Sequence, residues 1–386
     1  MPGKLKKHHL LDLGILIPYL ILSVIGLMMV YSTTTYVQLV IGENTAKSAI
    51  SQLAFWIVSL IVITIIYKMK LNFIKQKSLV VTAMVIITVL LILAFFFNKV
   101  NGSWGWIPIP GVGTIQPAEF LKIIVVWFLA VILSNNQNNV HEGQLFHTIK
   151  GSLAAIVFQI ILLGIYPDYG NAAIIVLLVM VVLLTSGVNF RLTILTGALS
   201  VVGSVFVVWF VNGIGKALVP GHVADRFAAF RNPFKYEYDL GHQLIQGYYA
   251  MFNGGLFGRG LGNSIQKNGF LKFAHTDFAF AIVVEELGLI AAIAILGLLF
   301  YLIARILLIG IRANDPFNSM MCLGIGVLFL VSVFVNLGGI TGIIPLTGIT
   351  FPFISQGGSS LLMFSICIGF VLNISADERR KQYQLI

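Results

Sequence analysis

Long apolar runs separated by short polar connections fill most of this chain, near 11–31, 49–67, 79–97, 115–133, 151–166, 171–186, 192–213, 279–308, 319–340 and 356–374. About 20 apolar residues in a helix cross a hydrocarbon core of about 30 Å. The pattern therefore predicts an all-α polytopic membrane protein of about ten transmembrane helices. Lys4, Lys6 and Lys7 precede the first run as in a secretory signal, but the run continues to about Tyr31. That is spanning length, so it is read as a retained helix. The fifth and sixth runs are divided only by Pro167-Asp168-Tyr169-Gly170, a sequence that turn formation explains.

The basic residues orient the spans. With the N-terminus inside, fourteen Lys and Arg fall in inside segments, and only Lys47 and Lys99 fall in short outside loops. Both termini are expected to be cytoplasmic, and a large loop of about 214–280 faces outward. Two more outside segments, 98–117 and 338–358, are rich in Gly and Pro and apolar. Re-entrant or interfacial backbone is expected there, buried in protein or lining a wet cavity. No repeat of fixed period divides the chain, so residues 1–386 are read as one membrane domain.

Composition narrows the class. Hydrophobic residues make up 58% of 386 and charged residues 10%, against about 25% charged in soluble domains. The net charge of +10 is dispersed between apolar runs, which suits topology and not nucleic acid. Cys322 and Cys367 lie inside apolar runs, where packing is the default role.

Chemistry is expected where the large loop re-enters the membrane, at His275-Thr276-Asp277-Phe278. An acid at the start of an apolar helix is partly desolvated, which suits it to accept a proton; a helix cap explains Asp277 equally well. Glu285 and Glu286 follow about two turns deeper, and acids in spans are functional candidates, with structural hydrogen bonding as the alternative. The glycine run at 254–264 is no dinucleotide fingerprint, because no βαβ unit surrounds it. Glycines nonetheless let backbone amides approach an anion. Arg226, Arg231, Arg259 and Lys267 share the loop, so a pyrophosphate would suit them, as would lipid headgroups. Glu119 and Lys122 stand one turn apart after Pro117, a spacing that allows an ion pair on one helix face; bracing of helices is favoured over substrate contact.

Several of these stretches resemble the SEDS family of bacterial cell-wall proteins, essentially end to end and most like its division members. They are Gln116-Pro117-Ala118-Glu119 with Lys122, Pro167-Asp168-Tyr169-Gly170, Arg231-Asn232-Pro233, the glycine run, His275-Thr276-Asp277-Phe278 with Glu285-Glu286-Leu287-Gly288, and the run from Gly342 to Ser360. Two positions depart from the family pattern. Lys272-Phe273 stands where members commonly carry Pro-Glu, and Gln356 where many carry Tyr. The resemblance implies a ten-span peptidoglycan glycosyltransferase that polymerises lipid II, an undecaprenyl-linked substrate, at the outer face of the cytoplasmic membrane. It also implies a class B penicillin-binding protein and divisome membrane proteins as partners, at the division septum. Asp277 matches the family's essential loop acid, with His275 and the four loop cations as substrate-binding residues. A leaving pyrophosphate needs charge stabilisation, from these cations or from a divalent ion such as Mg or Mn. A lipid II transporter, an elongation-type polymerase and a non-catalytic scaffold remain as alternatives.

Overall fold

A computed structural model describes residues 7–97, 104–109, 113–137, 145–187, 229–238 and 241–385. Helices account for most of it: α1 (Leu13–Val40), α2 (Lys47–Lys68), α3 (Lys77–Ala94), α4 (Pro117–Ser134), α5 (Leu145–Ile165), α6 (Tyr169–Thr185), α7 (His242–Gly254), α8 (Ala279–Arg312), α9 (Pro316–Ile340) and α10 (Gly358–Leu385). Among the described residues, seven of these are long and apolar enough to cross a membrane, and α5 and α6 add shorter apolar segments. The chain is therefore a multi-pass membrane protein. Nine of the ten expected spans are helical; the seventh, 192–213, lies outside the described residues. The segment 98–117, expected to be irregular, carries a two-stranded antiparallel hairpin, β1 (Ile107–Ile109) with β2 (Gly113–Ile115), pairing Ile107 with Ile115.

Burial sorts the helices. The most hydrophobic stretch of α10 is 89% buried and that of α4 78%, against 22% for α2. Two helices thus form the protein-enclosed centre, and α2 lies at the periphery with an exposed apolar face. α10 packs on α2, α4 and α9, and α8 lies against α1, α7 and α9. Protein-facing positions are filled by close-packed aliphatic and aromatic side chains such as Leu129, Phe329 and Phe364.

Ion pairs tie the cationic end of the bundle. Asp12 caps α1 through the Gly14 amide at 3.0 Å and receives Arg305 at 3.2 Å and Arg379 at 2.6 Å. Asp315 caps α9 and holds Lys75 at 2.5 Å. Burial pushes the Asp315 carboxyl up, but its hydrogen bond and attraction to Lys75 outweigh this and hold it below the usual range. The helix ends beside Lys7, Lys75, Arg305 and Arg379 thus gather at one end, as the charge pattern requires.

α8 is the unusual helix. Its 34 residues would run about 50 Å if straight, longer than a bilayer core. It breaks at Gly288, which has φ 85° and ψ 167°. Kinks need an identifiable cause, and here a loop replaces the broken helical bonds. The amides of Arg259 and Gly260 donate to the carbonyls of Glu285 and Glu286, both at 2.9 Å, and the Leu289 amide donates to the Gly255 carbonyl at 3.0 Å. A Cβ on Gly288 would sit 2.4 Å from the Gly258 nitrogen, and one on Gly258 2.3 Å from the Glu286 carbonyl oxygen. Gly254 and Gly258 of the 254–264 run are therefore explained by close approach to the broken helix.

Candidate active site

The break in α8 leaves the residues from Ala279 to Glu286 as a buried stub, and Asp277 stands just before it. Phe278 is the N-cap residue and makes no side-chain cap bond, so Asp277 stands one residue before the cap of α8. Asp277 is half-buried. What holds it is a grip on three consecutive carbonyls. The Gln356 amide donates to the His275 carbonyl at 2.8 Å, the Ser355 hydroxyl to that of Thr276 at 2.6 Å, and the Asn336 side-chain amide to that of Asp277 at 2.8 Å. Asn336 also donates to the Ile349 carbonyl at 2.7 Å, and Ser355 accepts from the Phe351 amide at 2.9 Å. The segment after α9 is thereby clamped to the segment before α8.

Aromatic packing anchors that clamp. Phe351 stacks on Phe280 with ring centroids 4.7 Å apart, and the Phe353 ring meets Tyr19, Phe329 and Phe364. Phe353 takes a left-handed conformation, φ 65°, which costs about 1–3 kcal/mol outside glycine. Burial of its ring, 3% exposed, offsets that cost at about 1.5–3 kcal/mol for a side chain of this size.

The polar line continues across the bundle. The Gly357 amide donates to Gln52, the Gln116 amide to the Ser359 hydroxyl at 3.0 Å, and the Gln116 side chain to Asp168 at 3.1 Å. Asp168 caps α6 and accepts from the Asn171 side chain at 2.9 Å. Loss of water raises its carboxyl above the usual range against those bonds, and the charge of Glu119 pushes the same way. Glu119 and Lys122 form the expected pair at 2.9 Å, both buried, and the other Glu119 carboxylate oxygen has no partner among the described residues. One belt at one end of the bundle thus links Asp277 and His275 to the Glu119–Lys122 pair. Burial lowers the His275 pKa, so its imidazole is neutral near pH 7, and its Nδ1 has no partner among the described residues. A neutral ring can offer a substrate hydroxyl either a donor or an acceptor.

The loop cations divide. Lys267 is buried at 5% exposure, with Nζ 2.6 Å from Glu286 and 2.7 Å from the Ser32 hydroxyl. In this structure it neutralises a buried acid, unlike the exposed arginines of the same loop. Charge pairing across the fold, from Ser32 on α1, is invisible to a count of loop cations. Arg231 and Arg259 are exposed; Arg259 opens on a shallow concavity of about 560 Å³ with Asn263 and Asn268. Arg226 lies outside the described residues. Both Glu285 and Glu286 face the interior. Glu285 takes the Ser264 hydroxyl at 2.5 Å and the Ile265 amide at 2.9 Å, and Glu286 takes Ser32 at 2.7 Å.

Asn336 and Ser32 were not among the expected site residues. Asn336 is a lone amide in an apolar helix, and Ser32 opens the polar run Ser32-Thr33-Thr34-Thr35 of α1, and those are the only signals they carry. Among the described residues no three His, Cys, Asp or Glu side chains converge to hold a metal ion.

Comparison with known proteins places this arrangement. The chain is 46% identical to the probable peptidoglycan glycosyltransferase FtsW of Lactococcus lactis subsp. lactis (strain IL1403), over 98% of this chain and 95% of that one. It is 33% identical to the probable peptidoglycan glycosyltransferase FtsW of Enterococcus hirae over 98% and 96%. Its fold resembles a chain of a peptidoglycan synthase complex that coordinates polymerization and crosslinking, with TM-score 0.72, 20% identity and coverage of 95% and 98%. It also resembles the rod shape determining protein RodA of Thermus thermophilus, with TM-score 0.64, 21% identity and coverage of 95% and 97%. The family model for FtsW, RodA and SpoVE, described as cell cycle protein, matches residues 13–380, and the chain belongs to that family.

Proposed function

We propose that the chain is a peptidoglycan glycosyltransferase that polymerises lipid II into glycan strands, with Asp277 as general base. The observation that carries this reading is the three-carbonyl grip on residues 275–277, which presents a half-buried acid at the mouth of a polar belt. The full-length likeness to relatives named as such enzymes supports it.

In the reaction, the 4-hydroxyl oxygen of the acceptor sugar forms a bond to the anomeric carbon of the donor. The bond from that carbon to the pyrophosphate oxygen breaks, and undecaprenyl pyrophosphate leaves with the electron pair. The hydroxyl proton passes to Asp277, and a single displacement inverts the anomeric centre. General-base assistance contributes about 100- to 10,000-fold. Neutral His275 orients the sugar, and Arg231 and Arg259, with Arg226 beyond the described residues, balance the leaving charge.

The belt's end of the bundle faces outward in this reading, with both termini in the cytoplasm. A class B penicillin-binding protein crosslinks the product, and the division septum with its membrane proteins is the site of work. The decisive experiment combines the purified chain, its penicillin-binding partner and lipid II in the presence of moenomycin. Wild type yields glycan polymer and Asp277→Ala yields none. Equal polymer from both removes Asp277 from the mechanism, and absence of polymer from wild type refutes the assignment.

A further inference from the structure

At the end of the bundle opposite the belt, where α2 finishes and α10 leaves its neighbours, the surface opens into a cavity of about 290 Å³. Its lining includes Lys7, Lys68, Lys70, Arg380, Asn373 and Asp377. Four cations therefore face one acid, and that acid is already engaged: Asp377 receives Arg380 at 3.3 Å and Lys381 at 2.8 Å. The floor is built of fixed groups. Lys7 donates to the Met69 carbonyl at 3.0 Å and to Asn373 at 2.9 Å, while Asn373, 1% exposed, donates to the Ile66 carbonyl at 2.6 Å. Burial, and then the like charge of Arg380, lowers the Lys7 pKa, with Asp377 acting against them.

We infer that this cavity binds the phosphate headgroup of an anionic phospholipid, with the lipid's acyl chains lying along α2. The shared chemistry is a phosphate ester held by converging ammonium and guanidinium groups, which a free phosphate compound would also satisfy. The neighbouring surface decides for lipid. Ile57, Ile61 and Ile65 are 50%, 54% and 55% exposed, and at i, i+4 and i+8 they lie on one face of α2 that leads directly to Lys68. Such a stripe gives acyl chains a track that ends at the cations, the arrangement expected of basic pockets that read lipid headgroups at the membrane surface.

The full-length chain, purified in neutral detergent, is equilibrated with phosphatidylglycerol, phosphatidylcholine or glycerol phosphate, and bound ligand is counted by native mass spectrometry. Wild type retains phosphatidylglycerol in preference to phosphatidylcholine, and glycerol phosphate, which lacks acyl chains, binds far more weakly than phosphatidylglycerol. The double variant Lys68→Gln/Arg380→Gln, altered at exposed positions, loses about 30-fold in affinity for phosphatidylglycerol. Equal retention of the two lipids by wild type overturns the proposal, and that comparison stands whether or not the variant folds. Glycerol phosphate binding as tightly as phosphatidylglycerol overturns the lipid assignment in favour of a soluble phosphate site. Undiminished phosphatidylglycerol binding by a folded double variant places the lipid elsewhere.

Discussion

Eight residues separate Asp277 from Glu285, and the protein treats the two acids in opposite ways. At residues 275–277 the surroundings bind the backbone: Asn336, Ser355 and Gln356 each take one carbonyl, and the Asp277 side chain sits half-buried at the edge. At Glu285 and Glu286 the surroundings bind the carboxylates themselves, with Ser264, Ile265, Ser32 and Lys267 as donors and exposures of 0% and 1%. The two glutamates take donors from the loop and from α1 and so organise that loop. The backbone at Asp277 is instead fixed by donors from α9 and the segment that follows it. The difference teaches that the number of acids near a re-entrant loop says little until it is known which atoms hold each one.

Substitutions can break this contrast. The largest effect is expected at Asp277. Asp277→Asn preserves shape and backbone grip, so lipid II polymerisation should fall by about 100-fold or more, while the unfolding temperature in detergent stays at the wild-type value. A matched fall in both would make Asp277 structural. Glu286→Gln should do the reverse. It strands the buried Lys267 ammonium, and breaking such a pair costs about 3–5 kcal/mol, read as a lower thermal or denaturant midpoint. Glu286→Leu combined with Lys267→Met should recover much of that stability, because apolar replacement of a whole buried pair is often neutral.

Asn336→Ala probes the boundary between the two regimes. It leaves the carbonyls of Asp277 and Ile349 without their donor, a cost of about 1–3 kcal/mol. Because it loosens the base, kcat should fall more than KM rises, for misplacement by about 1 Å can cost about 100-fold. A change in KM alone would show that the clamp serves binding. The smallest effect is on pH dependence. His275 has a pKa held below its ordinary 6.5 by burial, so the folded chain binds fewer protons there than the unfolded one. Its contribution to stability is present above pH 6.5 and declines as pH falls through the lowered folded value. His275→Gln should flatten the acid side of the midpoint-versus-pH curve, and an unchanged curve would show that burial does not set its charge.

Much of this was legible along the chain. Hydropathy runs located nine described helices because lipid tolerates no unpaired backbone and leaves helices as the simplest solution. The turn between α5 and α6 announced itself through Pro167 and Asp168, and the i, i+3 spacing of Glu119 and Lys122 foretold their ion pair. Asp277 stood out because it lies where the large polar loop re-enters an apolar helix. Glycine marks close approach without saying what approaches, and for Gly254 and Gly258 it is the α8 backbone. The partners of Lys267 were not legible because they come from α1 and α8.

By itself, then, the sequence determined what depends on neighbours in the chain: the apolar spans, helix starts and turns, and the identity of an acid poised where a loop meets a helix. Tertiary structure alone decided which polar groups are spent on one another. Hydrogen bonds and ion pairs act over about 3 Å, so their pairing is set by packing that brings Ser32, Asn336 and Gln356 to residues many turns away in sequence. Only that packing distinguishes the acid held by its backbone from the acids held by their carboxylates.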